Sequence, residues 1–138
     1  MDRGKSVLLT AFEDRHPILA YRAPAVLYAI LIFIVSAIPG QELPQLPFIS
    51  FDKVVHTIEF GLLGILVFRA FRFPRPVSKP YLATVFLCVG IAASDELHQL
   101  FVPGRYASMA DFLCDAIGVI VFTGISAFIH RKASVDIY

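Results

Sequence analysis

Asp95, Glu96, His98, Arg105, Asp111 and Asp115 stand within the run "SDELHQLFVPGRYASMADFLCDAIG", residues 94–118, and Asp52, Lys53, His56 and Glu59 within "FDKVVHTIEF", residues 51–60. These are the side chains of proton transfer and anion recognition. Carboxylates crowded into a low-dielectric pocket cannot all ionise, so one serves as a general acid beside an ionised partner. Glu96 is the candidate acid and Asp111 its base. His56, held by Asp52 or Glu59 on one helical face, is the candidate proton shuttle near neutral pH. Arg105 carries a planar fork that meets phosphate or carboxylate at two points, and Lys53 adds a second cation. Asp52, Gln99, Ser108 and Asp115 complete the candidate binding residues, orienting the cations or accepting sugar hydroxyls.

Plainer roles compete for each residue. Ser108-x-x-Asp111 is a capping-box-like helix start, which favours a cap over a nucleophile for Ser108. Asp52 suits a helix N-terminus. Lys53 and Arg105 can pair with lipid phosphates, and His56 can be a satisfied interhelical hydrogen bonder. Glu59, Glu96 and Asp115 lie inside their expected helices, where capping does not account for them. A metal alternative uses His56-x-x-Glu59 and Asp95-x-x-His98, each placing two ligand types on one face. Histidines with carboxylates suit zinc, manganese or iron, but the spacing is short and common. No cofactor is expected, and His56, Glu59, Asp95 and His98 are metal ligands only in that alternative.

The elements that must position these groups are membrane helices. The 138 residues are 57% apolar and 17% charged, against about 45–50% and about 25% for soluble domains. A spanning helix needs about 20 apolar residues. Four stretches answer to that: about 18–38, with Arg22 snorkelling to the interface, 54–71, 81–101 and 109–129. Pro39-Gly40, the prolines at 74, 76 and 80, and Pro103-Gly104 separate them. The expectation is one all-α membrane domain, residues 1–138, a bundle of four transmembrane helices. Residues 1–17 form a cytoplasmic or interfacial tail and residues 130–138 a cytoplasmic one. Residues 39–51 are expected to cover the site. Cys88 and Cys114 read as small buried hydrophobes without zinc spacing.

Charge sets the orientation. Arg3, Lys5, Arg15, Arg22, Arg69, Arg72, Arg75, Lys79, Arg131 and Lys132 fall on one side of a four-span chain, and only Lys53 and Arg105 on the other. Ten against two gives N-in and C-in by the positive-inside rule. A cleaved signal peptide is not expected after so charged a tail. The acids and histidines then gather at the outer helix ends. At about 100° per residue, Asp52, His56 and Glu59 occupy a narrow arc. Asp111 and Asp115 share a face with Ser108 and Gly118. Asp95, Glu96, His98 and Gln99 take about half of their helix. Each polar face can point into the bundle, as it must where an ionised group in hydrocarbon costs about 2.5–3.5 kcal/mol even on the lenient scale. A transporter ranks last, because the acids sit at one end of four short spans. Nucleic acid is excluded as a partner, since the basic residues are the topogenic ones.

"Asp52-Lys53-x-x-His56", "Glu96-x-x-Gln99-x-Phe101-x-Pro103-Gly104-Arg105", "Ser108-x-x-Asp111", "Asp115-x-x-Gly118" and the upstream "Ser36-x-x-Pro39" together resemble the VanZ-like family over about residues 30–125. The family often has Asn where this chain has Asp115, a departure that adds an acid. The resemblance implies a small multi-pass protein of the bacterial cytoplasmic (inner) membrane, and the family's name member is associated with low-level resistance to the glycopeptide teicoplanin. It points to a protein that binds or modifies a cell-envelope component at the outer face. The expected partners are membrane lipids, with a lipid-linked cell-wall precursor or glycopeptide at the outer leaflet. The alternative is a membrane-embedded acid/base or metal-dependent hydrolase or transferase acting on a lipid phosphate or cell-wall intermediate. Oligomeric state is left open.

Overall fold

Four long helices run through the described residues, each bounded by a recognisable local signal. In the computed structural model, residues 16–42 and 51–135 are described. Helix α1 spans Pro17–Ser36 and α3 spans Pro80–Gln99. Both begin on a proline, whose missing N–H falls where no intrahelical partner exists. Helix α2 spans Phe51–Arg72 and α4 spans Met109–Val135. A short 3-10 turn, Gly40–Glu42, follows α1. Among the described residues there is no strand. All four helices are long and apolar enough to cross a membrane, the fourth over Met109–Lys132.

The helix bounds differ from the hydropathy reading by a few residues, for physical reasons. Helix α2 begins at Phe51 rather than about 54 because Asp52 favours the first turn; a hydropathy window discards it as polar. Helix α3 stops at Gln99 rather than 101, and Leu100 and Phe101 enter the turn before Pro103, since a residue preceding proline is driven out of the α region. Helix α4 continues past 129, because His130, Arg131 and Lys132 can stay helical while leaving the apolar zone. The expected interfacial stretch before His16, most of the expected covering loop (residues 43–50) and the last residues of the C-terminal tail (136–138) lie outside the described residues.

Helices α2 and α4 share the most extensive interface, while α1 packs on α2 and, less, on α3. Gly118 explains how close the central pair comes. A Cβ there would collide with the backbone carbonyl of Thr57, so only glycine lets the two backbones meet. Gly61 lies against Phe122, and Gly64 against Thr123 and Val119. Phe60, Leu63, Cys88, Ala92 and Val119 are fully buried along the bundle axis. Outward faces such as Leu27, Ile34, Leu97 and Phe128 stay exposed, as lipid-facing positions do. Both cysteines are free thiols.

Candidate functional site

Because α2 and α4 start at the same end of the bundle at which α1 and α3 finish, the polar ends of the last three helices come together. His56 lies about 8 Å along α2 and Asp115 about 9 Å along α4, at about 1.5 Å per residue. One turn deeper on the same faces stand Phe60, Ala92 and Val119, all 0% exposed. The polar level therefore rests on a closed apolar floor.

Across the α2–α4 contact, His56 Nδ1 lies 3.0 Å from Asp115 Oδ1, and Asp115 is entirely buried. One turn nearer the end, Lys53 pairs with Asp111 and lies 3.5 Å from Asp52 Oδ2. Lys53 is therefore engaged by carboxylates, where the sequence suggested a cation for an incoming anion. Its attraction to Asp111 joins the first turns of α2 and α4.

Glu96 reaches from α3 to the start of α4. Its Oε2 accepts the Ser108 backbone N–H at 2.6 Å, and Ser108 Oγ accepts the Asp111 N–H at 3.3 Å. The latter is the expected N-cap. One oxygen of Glu96 is thus structural; the other, Oε1, is buried and has no partner among the described residues. Gln99 Nε2 donates to Asp95 Oδ2 at 3.0 Å, both side chains buried.

Arg105 closes the rim. Its Nε donates to the Ile38 carbonyl and its Nη2 to the Val35 carbonyl, both at 3.3 Å. These carbonyls lie in the last turn of α1 and just beyond it, where the helix dipole is negative. The turn that delivers Arg105 uses Gly104 at φ +73°, a conformation glycine adopts freely. Gly40 N–H binds the Pro103 carbonyl at 3.0 Å and ties that turn to α1.

Between these groups lies a cavity of about 190 Å³. Asp52, His56, Glu59, Asp95, Gln99 and Arg105 form its polar wall, and Ile32, Val35 and Val55 its apolar one. Ser36 also lines it, buried and with its Oγ unpartnered among the described residues. Ser36 was not among the candidate site residues, although it stands in the Ser36-x-x-Pro39 motif. A second hollow of about 440 Å³ adjoins Glu96 between α3 and α4, walled by Ala93, Leu97, Met109 and Phe112. Polar and apolar spaces thus adjoin one cluster, a shape suited to an amphiphile.

All the candidate residues lie at this end, in unequal roles. His56, Asp52, Gln99 and Arg105 face the cavity. Lys53, Ser108 and Asp111 hold its helices together. Asp115 lies behind His56. A ligand atom from each of His56, Glu96 and Asp115 lies within 4.8 Å of the others. Of the residues considered as metal ligands from the sequence, Glu59, Asp95 and His98 fall outside that group. His98 instead stands edge-on to Phe33, ring centroids 5.9 Å apart.

The fold and site define a small four-helix membrane protein with a polar cavity at one end of the bundle. The family model described as VanZ/LLP1 matches residues 5–130, and the chain belongs to that family. No curated protein and no solved structure matches the chain.

Proposed function

We propose that the protein acts at the outer face of the bacterial cytoplasmic membrane, binding or modifying the polar head of a cell-envelope component. The observation that carries this reading is the cavity on which Arg105 and the carboxylates of Asp52, Glu59 and Asp95 converge. The charge asymmetry of the connecting segments supports an outward-facing cavity. Arg105 offers donors beyond its two contacts to α1, enough to take a phosphate or carboxylate oxygen. The surrounding acids and Gln99 suit sugar or peptide hydroxyls and amides. A lipid-linked cell-wall precursor combines these features with an acyl chain for the hollow beside Glu96. Reduced sensitivity to a teicoplanin-like glycopeptide is one outcome such binding would have.

The test is equilibrium binding of a lipid-linked cell-wall precursor to the protein in nanodiscs, beside phosphatidylglycerol as the plain anionic lipid. Arg105→Ala should weaken precursor binding at least about tenfold, the loss of a charge-assisted contact worth about 1.5–3 kcal/mol. Equal affinity in wild type and variant removes Arg105 from this role. Equal affinity for both lipids removes the envelope component.

A second reading, a membrane-embedded hydrolase or transferase acting on a lipid phosphate, is favoured by the grouping of His56, Asp115 and Glu96. His56 with its carboxylate partner has the base-and-orienter arrangement of acid/base catalysis. Glu96→Gln and Asp111→Asn should then abolish turnover of a lipid phosphate in folded protein. Full turnover in both would end this reading.

A further inference from the structure

We propose that His56, Glu96 and Asp115 form a binding site for a divalent transition-metal cation, of the zinc or manganese class, at the inner edge of the cavity. This deepens the reading given above and rests on the same cavity. Three observations carry it.

The first is geometric. Three helices each supply one ligand, and the three ligand atoms lie within 4.8 Å of one another. The 3.0 Å approach of His56 Nδ1 to Asp115 Oδ1 is close to the edge of a coordination polyhedron with bonds of about 2.0–2.2 Å. A cation there takes the place of the proton the two atoms share.

The second is the state of the carboxylates. Asp115 is 0% and Glu96 7% exposed, and Asp115 Oδ2 and Glu96 Oε1 have no hydrogen-bond partner among the described residues. Buried acceptors are ordinarily satisfied, and exceptions need a reason. Two unmet carboxylate oxygens in one small cluster are acceptors that a single cation would satisfy together.

The third is charge. Among the described residues neither nearby cation pairs with these two carboxylates: Lys53 meets Asp111 and Asp52, and Arg105 meets the Val35 and Ile38 carbonyls. Two ionised carboxylates with a neutral imidazole carry −2, which a divalent ion neutralises and which hydrocarbon otherwise penalises. One nitrogen beside two carboxylates favours zinc, manganese or iron(II) over calcium and magnesium, which take oxygen shells. Three protein ligands leave a coordination position open. His56 lines the cavity and Glu96 the adjoining hollow, so the site lies between the two spaces.

The experiment uses the full-length protein in detergent, stripped with chelator and titrated with Zn²⁺ or Mn²⁺ alone. Bound metal is read by elemental analysis after desalting, and stability by melting temperature. Wild type should retain about one equivalent and melt several degrees higher when loaded. Asp115→Asn and His56→Gln should retain less than about a tenth of an equivalent and lose the thermal shift. Their monodisperse elution and helical circular dichroism would show that they fold. Wild type without retained metal or thermal shift for either ion overturns the proposal, as does full retention in both variants. Arg105→Ala should bind metal normally while binding the headgroup at least about tenfold more weakly. Lipid binding by metal-free wild type therefore separates failure of the metal site from failure of the headgroup reading.

Discussion

His56 and Asp115, 59 residues apart in the chain, meet at 3.0 Å across the α2–α4 interface. The contact sits one turn above Phe60 and Val119, and the Asp115 side chain is fully buried, so removing His56 leaves a carboxylate buried without that partner. His56→Ala, which strands a buried carboxylate, should cost about 3 kcal/mol of stability. The double variant His56→Ala/Asp115→Ala should cost less than the two singles added, with a coupling of at least about 0.5 kcal/mol. Urea unfolding in micelles of constant composition measures the cycle; strict additivity would mean the two side chains do not interact.

Glu96 divides its oxygens between loop and cavity, which makes two substitutions distinguishable. Glu96→Gln keeps an acceptor for the Ser108 N–H and should change stability by less than about 1 kcal/mol, whereas Glu96→Ala abandons that donor and should cost about 1–3 kcal/mol. Activity or ligand binding should fall in both. A Gln variant with wild-type function would reduce Glu96 to a loop anchor.

Close approach at Gly118 predicts a sharp contrast among glycines. Gly118→Ala drives a methyl into the Thr57 carbonyl and should destabilise by about 1–3 kcal/mol, widening the site. Gly90, on α3, has open space where an alanine methyl would stand, with no described atom beyond its own stretch of helix within 4 Å. Gly90→Ala should therefore be neutral or stabilise by up to about 1 kcal/mol. Thermal melts of the two variants side by side decide the matter, and equal melting temperatures would show that α2 and α4 are not in backbone contact.

Orientation is tested by labelling. In a background lacking Cys88 and Cys114, a cysteine replacing Tyr106, exposed near the cavity rim, should react with an impermeant maleimide added outside intact cells. A cysteine replacing exposed Ser78 should react only after lysis. The reverse pattern would place the cavity on the cytoplasmic side and remove an external headgroup as its ligand.

Much of the fold was legible because bilayer constraints are simple: four apolar runs, separated by prolines and glycines, can only be helices. Helical spacing also placed Asp52, His56, Asp111 and Asp115 on faces that turn inward. Pairwise choice was not legible. Nothing in "Asp52-Lys53-x-x-His56" says that Lys53 takes Asp111 while His56 takes Asp115, since that depends on the register of α2 against α4 set by Gly118 on Thr57. Periodicity put His98 on the same broad polar arc as Asp95 and Gln99, yet its ring lies against Phe33 of α1. Arg105 was legible as a rim cation, but its hold on the Val35 and Ile38 carbonyls came from the fold of the connecting turn.

The most direct test of the claim that distant polar side chains meet at one level is a cross-link. In the same background lacking native cysteines, His56→Cys and Asp115→Cys are combined and oxidised in native membranes. Intact mass before and after reduction reports the disulfide. The backbones of α2 and α4 meet at Thr57 and Gly118, next to this pair, and a disulfide accepts Cα separations of about 4.4–6.8 Å, so the pair should close. His56→Cys with Phe128→Cys, separated by about 20 Å along α4, should not. Failure of the first pair to form, or equal formation by both, would contradict the convergence on which the site depends.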